Sequence, residues 1–420
     1  MATSQQVIGT WILISVYGAA ILWFVIRGAL SIRNISDYAV GNIRFSPVAV
    51  GLSLAVSMTS AATFVINPGL ITVSGFSGVI SFGIVFPLAS LISLVLLTKS
   101  FRKYGRTVKA LTLAQWIGER YKSKAYALYM AFLSLLLITF IVLILVAIVK
   151  VLAKSLNADE FYVLLAIVIF VFCYMMFGGA NSLVYTNTIQ AVAMLVVAFI
   201  LLGSGYEHFR DGIQGLLAKL SAIDPVLAEN TNPGSALFRD FYEIIFAQFV
   251  VGVAVVCQPH IITKSLFLKR EKEVNRFLAT AIIAEILFFS VVWVGLYARI
   301  LFPDLTQGGV ALKTDGIIPA YVVTIFSSGI FSVIIGLIVV LGLISAGLST
   351  LEGLIQSVSS TITKDIIEPL FGSSIRNERN YIFINKMAIV FLAIVSFFVT
   401  YDQLIDPNLS VAILAQNGVY

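Results

Sequence analysis

The chain has 420 residues, 59% of them hydrophobic and 11% charged, with a mean hydropathy of +1.00 and a formal net charge of +6. That composition excludes a soluble globular domain and describes a polytopic all-α membrane protein. The positive balance does not point to nucleic acid, because the Lys and Arg residues sit in short connections between apolar runs, where they set topology. Cys173 and Cys257, like His208 and His260, lie far apart, so there is neither a disulfide framework nor a zinc-ligand spacing.

In chain order, ten spans are expected over about 7–26, 46–73, 78–97, 126–151, 162–177, 188–205, 241–262, 277–301, 325–358 and 382–400, with the opening of an eleventh at 410–420. No Lys or Arg precedes the first span, so it does not read as a signal peptide. The connections after spans 1, 3, 5, 7 and 9 hold 20 of the 27 Lys and Arg residues, and those on the other side hold 7. This asymmetry places the first set in the cytoplasm and the N-terminus outside, in a plasma (bacterial inner) membrane. The long outer connection 207–240 carries an amphipathic stretch at 213–223, expected to lie on the surface as a cap.

Two spans are interrupted. Span 2 reads SMTSAATFVINPG, with Ser57, Thr59, Ser60 and Thr63 ahead of Asn67-Pro68-Gly69, and span 7 carries Gly252 and then Gln258-Pro259-His260. Proline removes a backbone donor and clashes with the carbonyl one turn back. In a bilayer, loosened backbone persists only where protein or water satisfies it. Spans 2 and 7 are five apart, an odd number, so a five-helix repeat would insert its second copy upside down. Matching interruptions in inverted halves point to a transporter site.

Near the end of span 9 lies LISAGLSTLEG, residues 343–353. Ser349 and Thr350 are about 100° apart on a helix and can flank one small object, with the Ala346 carbonyl four residues before Thr350. Oxygens of this kind suit a hard cation. The alternative is that the hydroxyls simply bond back to carbonyls one turn earlier.

Five segments resemble the sodium:solute symporter family: Ser36-Asp37-Tyr38 with Gly41 and Arg44; the broken second helix just quoted; Gly178-Gly179 with Thr186-Asn187 and Gln190; Gln258-Pro259-His260 with Lys264; and Ser345 to Thr350 followed by Thr363-Lys364-Asp365. They occur in order over nearly the whole chain, and the pantothenate and monocarboxylate branch is the most similar by eye. The resemblance implies a leucine-transporter-type fold: one leading helix (1–27) and two inverted five-helix repeats (46–205 and 241–420) in a single transport domain. It also implies a sodium site made by the carbonyls of Val56, Thr59 and Ala346 and the hydroxyls of Ser349 and Thr350. Five neutral oxygens suit a sodium ion that must also leave.

Two departures narrow the expectation. Asn187 stands where many members have Asp, which implies one sodium site rather than two. Met58 stands where some relatives have an acid that would hold a substrate ammonium. The solute is expected beside Met58, Ser60, Thr63, Gln248, Gly252 and Gln258, in an apolar pocket that suits an aliphatic carboxylate such as a monocarboxylate or pantothenate. Sodium with such an anion moves no net charge. No covalent chemistry is implied, so the chain is expected not to be an enzyme. Partners are the solute, sodium and the lipid bilayer, and a monomer is plausible.

Among other ionisable groups, Glu285 inside span 8 is expected either to pair or to take part in coupling. Glu352 is expected to pair with a loop Lys as a structural group, and His260 to bond backbone at a helix end. Two rival functions stay open from the sequence: a proton-coupled symporter of the same fold, and a symporter-like sensor module of a membrane signalling protein. A channel is disfavoured, since no filter motif is present.

Overall fold

The structure is a computed structural model and describes residues 2–30, 35–40, 45–108, 110, 112–268, 270–371 and 378–406. Gly41, Arg44 and the opening of span 11 lie outside these residues. Among the described residues, seven helices are long and apolar enough to cross a membrane, and nine if each of two bent pairs counts as one span. These are span 1 (Ser4–Ala29), span 2 (Pro47–Met58 and Ala62–Ser74), span 3 (Phe76–Lys103), span 4 (Lys124–Leu156), span 6 (Ala180–Gly203), span 7 (Tyr242–Val255 and Pro259–Phe267), span 8 (Glu271–Leu301), span 9 (Ile330–Leu370) and span 10 (Arg379–Ile405). The shorter apolar helix Glu160–Met175 is span 5. The bent pairs are spans 2 and 7, at 54° and 51°.

Two boundaries differ from expectation. Span 6 begins at Ala180 rather than near 188, because Gly179 adopts φ +92°, which glycine accommodates, and the helix starts directly after it. Span 9 begins at Ile330 rather than near 325. A separate short helix, Ile317–Ile325, precedes it, and Gly329 at φ +81° makes the turn between them.

The connections segregate to two ends. At the basic end, Arg102 donates to Glu271 and to the carbonyl of Leu268 (3.1 Å each), and Gln356 donates to the carbonyls of Tyr38 and Ala39. These bonds gather the connections that follow spans 1, 3, 7 and 9. At the other end, Gln6 donates to the carbonyls of Val323 and Phe326, Lys154 to Gln307, and Asn232 to the carbonyl of Ser74. The amphipathic stretch is a helix, Gly212–Ile223, that buries Leu216 and Leu220 at this end.

Spans 2, 6, 8 and 9 form the centre: span 6 packs on span 9 and on the first half of span 2, and span 8 packs on that same half. Large apolar side chains such as Trp11, Val16, Phe199, Ile283, Phe391 and Phe398 point outward. This surface suits hydrocarbon, and the chain is a multi-pass membrane protein.

The Asn67-Pro68-Gly69 segment is a packing contact rather than the hinge of span 2. A Cβ on Gly69 would lie 2.2 Å from the carbonyl oxygen of Thr314, and one on Gly295 would lie 2.3 Å from that of Pro68. Both glycines let backbones approach more closely than any other residue allows.

Candidate functional site

The hinge of span 2 is at Thr59–Ala61. Thr59 makes the last regular bond of Pro47–Met58, its N–H to the carbonyl of Ala55 (3.0 Å), and then turns to extended φ −106°, ψ 94°. The Ser60 hydroxyl accepts from the N–H of Ala62 (3.1 Å), capping the helix that restarts there. The restart, Ala62–Ile66, is a wide π-helical turn, a geometry frequent at functional sites.

Val56, one turn before this hinge, faces span 9. The Ser349 hydroxyl lies 3.0 Å from the carbonyl oxygen of Val56 and 3.0 Å from that of Ala346. The Thr350 hydroxyl lies 3.4 and 3.3 Å from the same two oxygens. The hydroxyls bond back along their own helix, as the alternative reading expected, and also reach across to span 2. All four residues are fully buried. Thr59 is equally buried and its hydroxyl has no partner among the described residues. Ala61 sits against span 9, its Cβ 3.3 Å from where a side chain on Gly347 would begin. Neutral carbonyl and hydroxyl oxygens converging in a buried interior form a donor set that fits a hard monovalent cation. Ser345 faces elsewhere and donates to the Tyr17 hydroxyl of span 1 (3.0 Å).

Beside this cluster is a partly open cavity of about 70 Å3, between spans 2, 3, 4 and 7. Met58, Ser60, Thr63, Gln248 and Gln258 all line it. Gly252 does not: a Cβ there would meet the Phe86 carbonyl and the Ala89 side chain at 2.7 Å, so this glycine serves close packing of span 7 on span 3. Val251 and Val255 line the cavity from span 7 instead. Sequence reasoning missed Asn67, Phe82, Phe86 and Phe140. Asn67, a polar residue beside Pro68 in an apolar run, carried a signal, whereas the phenylalanines had none to set them apart from lipid-facing residues. Among the described residues, no ionisable side chain lines this cavity. The amide nitrogens of Gln248 and Gln258 and the Gln258 amide oxygen are buried without partners.

Toward the basic end, buried polar groups continue. Glu352 does not pair with a loop Lys. Its carboxylate accepts from the hydroxyls of Tyr174 and Thr186 (2.7 Å for Thr186) and from the Gln190 amide (3.4 Å), inside the bundle. Asn187 donates to the Ser53 hydroxyl (3.1 Å). Lys264 donates to the carbonyl and hydroxyl oxygens of Ser53 (2.9 and 3.0 Å). His260 does not bond backbone: both ring nitrogens are buried without partners. Glu285 is fully buried and neither carboxyl oxygen has a partner among the described residues.

Two bent, broken helices beside a cavity lined by no ionisable side chain among the described residues, with a buried oxygen cluster at one break, point to a secondary transporter. The sodium:solute symporter profile matches residues 38–416, and the chain belongs to that family. The sodium/pantothenate symporter of Haemophilus influenzae is 27% identical over 380 residues, covering 90% of this chain and 75% of that one. That of Escherichia coli is 26% identical over 370 residues, covering 87% and 73%. A sodium/proline symporter of Staphylococcus aureus is 25% identical over 447 residues, covering 99% and 80%. A solved structure of a Na+-coupled sialic acid symporter in its substrate-bound outward-open state superimposes with a TM-score of 0.78 at 18% identity, covering 98% of this chain and 85% of that one. The fold is the leucine-transporter type, and the chain is a sodium-coupled symporter of a small solute, a transporter rather than an enzyme.

Proposed function

We propose that the protein imports a small aliphatic carboxylate, such as a monocarboxylate or pantothenate, with one sodium ion by alternating access. The observation that carries this reading is the pair of unpartnered amide donors, Gln248 and Gln258, in a cavity lined by no charged group among the described residues. Buried polar groups seek partners, and amide N–H groups with the hydroxyls of Ser60 and Thr63 suit a carboxylate. Met58 and the valines give a substrate ammonium no counter-charge, which disfavours an amino acid. The names of the two pantothenate symporters among the relatives agree with this chemistry.

Sodium is held by the carbonyls of Val56, Thr59 and Ala346 and the hydroxyls of Ser349 and Thr350. Tying span 9 to the hinge of span 2 orders Ser60 and Thr63, so each ligand raises affinity for the other by the same factor. The near-equal bends of spans 2 and 7 support repeats over 46–205 and 241–420 after a leading helix at 1–27. The positive-inside asymmetry supports a cytoplasmic basic end and an external N-terminus in a plasma membrane. Thermal-shift titration with pantothenate, butyrate, proline and glucose, each with and without sodium, tests the solute class. Sodium-dependent stabilisation by a carboxylate is expected, and stabilisation by proline or glucose alone would refute it.

A further inference from the structure

Spans 1 and 5 meet where a Cβ on Gly18 would lie 3.6 Å from the Phe170 ring. Between that point and the basic end they leave a groove of about 580 Å3. Leu22, Ile26 and Leu30 recur at helical spacing and form one wall, and Ile169, Cys173 and Phe177 form the other. The Tyr174 hydroxyl is turned inward onto Glu352, so the side chains of the groove offer carbon and the Cys173 sulfur. Its five large rim residues, Leu22, Ile26, Leu30, Ile169 and Phe177, are 41 to 84% exposed. The walls run over 22–30 and 169–177, about 12 Å of helix. That fits within the roughly 15 Å depth of hydrocarbon in one leaflet.

A second cavity, of about 180 Å3, adjoins the groove at the basic end and shares Ala29 and Phe177 with it. It is polar where the groove is not: Asn385 and Lys386 of span 10 line it, with Tyr38. The Lys386 ammonium stands 4.3 Å from the centre of the Phe177 ring. No hydrogen bond or ion pair engages it among the described residues, so its three donors remain for a ligand. The space would hold about a dozen waters, enough for a phosphate group. No acid lines it among the described residues, so a headgroup ammonium would meet no counter-charge there.

We propose that the groove and this cavity together bind one anionic phospholipid, with an acyl chain between spans 1 and 5 and the phosphate on Lys386. The two halves select the occupant. A soluble anion would leave the groove unfilled, and an apolar molecule would leave Lys386 unpaired. The basic connections at this end draw anionic lipid to the same leaflet. The site does not depend on which solute is carried.

Native mass spectrometry of the purified full chain reads the site, with titration in detergent by phosphatidylglycerol and by phosphatidylcholine of the same acyl chains. One phosphatidylglycerol per chain is expected, bound about tenfold more tightly than phosphatidylcholine, the scale of one charge-assisted bond. Lys386→Gln should remove that preference and Lys386→Arg should keep it. Cys173→Trp, which fills the groove from an outward-facing position, should abolish retention. Two controls should change nothing: Lys99→Gln, which removes the same charge from an exposed position at the same end, and Ile283→Trp, which adds bulk to the outer face of span 8. An unchanged Tm without added lipid certifies the fold of each variant. Equal affinity for the two lipids would overturn the proposal. So would a loss in Lys99→Gln as large as in Lys386→Gln, or undiminished retention in Cys173→Trp. A lipid-free dimer that separates in Cys173→Trp would assign the groove to a second copy of the chain and overturn it as well.

Discussion

The Ser349 hydroxyl of span 9 lies 3.0 Å from the carbonyl oxygen of Val56 in span 2, across 293 residues of sequence. This contact joins a long helix that carries adjacent buried hydroxyls to a helix whose backbone turns extended at Thr59, three residues after Val56. Removing both hydroxyls, Ser349→Ala with Thr350→Ala, leaves the three carbonyl oxygens and strips two of the five ligands proposed for sodium. The sodium concentration for half-maximal uptake is expected to rise by about tenfold or more, the scale of one or two lost ion contacts. Unchanged sodium dependence, measured in proteoliposomes, would remove the cluster from the coupling path.

Asn187 bears on stoichiometry. Its amide donates to Ser53, which also receives Lys264, so its role in the structure is a hydrogen-bond bridge between spans 6 and 2. Uptake should depend on sodium with a Hill coefficient of about 1, and Asn187→Asp should not be needed for flux. Transport that appears only after that substitution would contradict a single sodium.

In the central cavity, Gln248→Leu replaces an unpartnered amide with a shorter apolar group. Apparent affinity for the transported carboxylate should fall by about tenfold, as expected for one lost bond to a charged group, with the fold intact by thermal unfolding. An unchanged affinity would place the solute elsewhere.

Glu352 accepts from three side chains on spans 5 and 6. Glu352→Ala leaves those donors facing a void, and about 3 kcal/mol of stability should be lost, read as a lower Tm in detergent. Glu352→Gln should also destabilise, by less, because its amide nitrogen meets donors. A Tm unchanged by both variants would mean that the network does not hold spans 5, 6 and 9 together.

Gly69→Ala places a Cβ 2.2 Å from the Thr314 carbonyl oxygen, which belongs to backbone and cannot swing away. A loss of about 1–3 kcal/mol is expected from overpacking, again read as Tm, while the neighbouring Leu70→Ala, on a half-buried wall of the central cavity, should act on uptake as well. Equal Tm for Gly69→Ala and the parent would refute the packing role.

Much of the fold was legible because hydrocarbon imposes a simple code: long apolar runs, basic connections and hydroxyls that stand out against them. Ser349, Thr350 and the interruption in span 2 were visible for that reason. The hinge itself was not, since the proline that draws the eye sits in a packing contact and the turn at Thr59–Ala61 has no proline or glycine. Gly252 was misplaced because a glycine in a hinged helix looks the same whether it faces a ligand or a neighbouring backbone. Glu352 and His260 were misread because sequence does not say which buried partners spans 5 and 6 bring, and the aromatic walls at Phe82, Phe86 and Phe140 differ in no local way from phenylalanines that face lipid.

The most direct test of the central claim is uptake of labelled pantothenate and butyrate into proteoliposomes under an inward sodium gradient, with pH equal on both sides and the membrane potential set by potassium and valinomycin. One sodium moving with one carboxylate predicts uptake that requires sodium and is indifferent to the potential. Sodium moving with a neutral solute would change accumulation by about 50-fold per 100 mV. Carboxylate uptake that persists without sodium under an imposed pH gradient, or that follows the potential on that scale, would contradict the account.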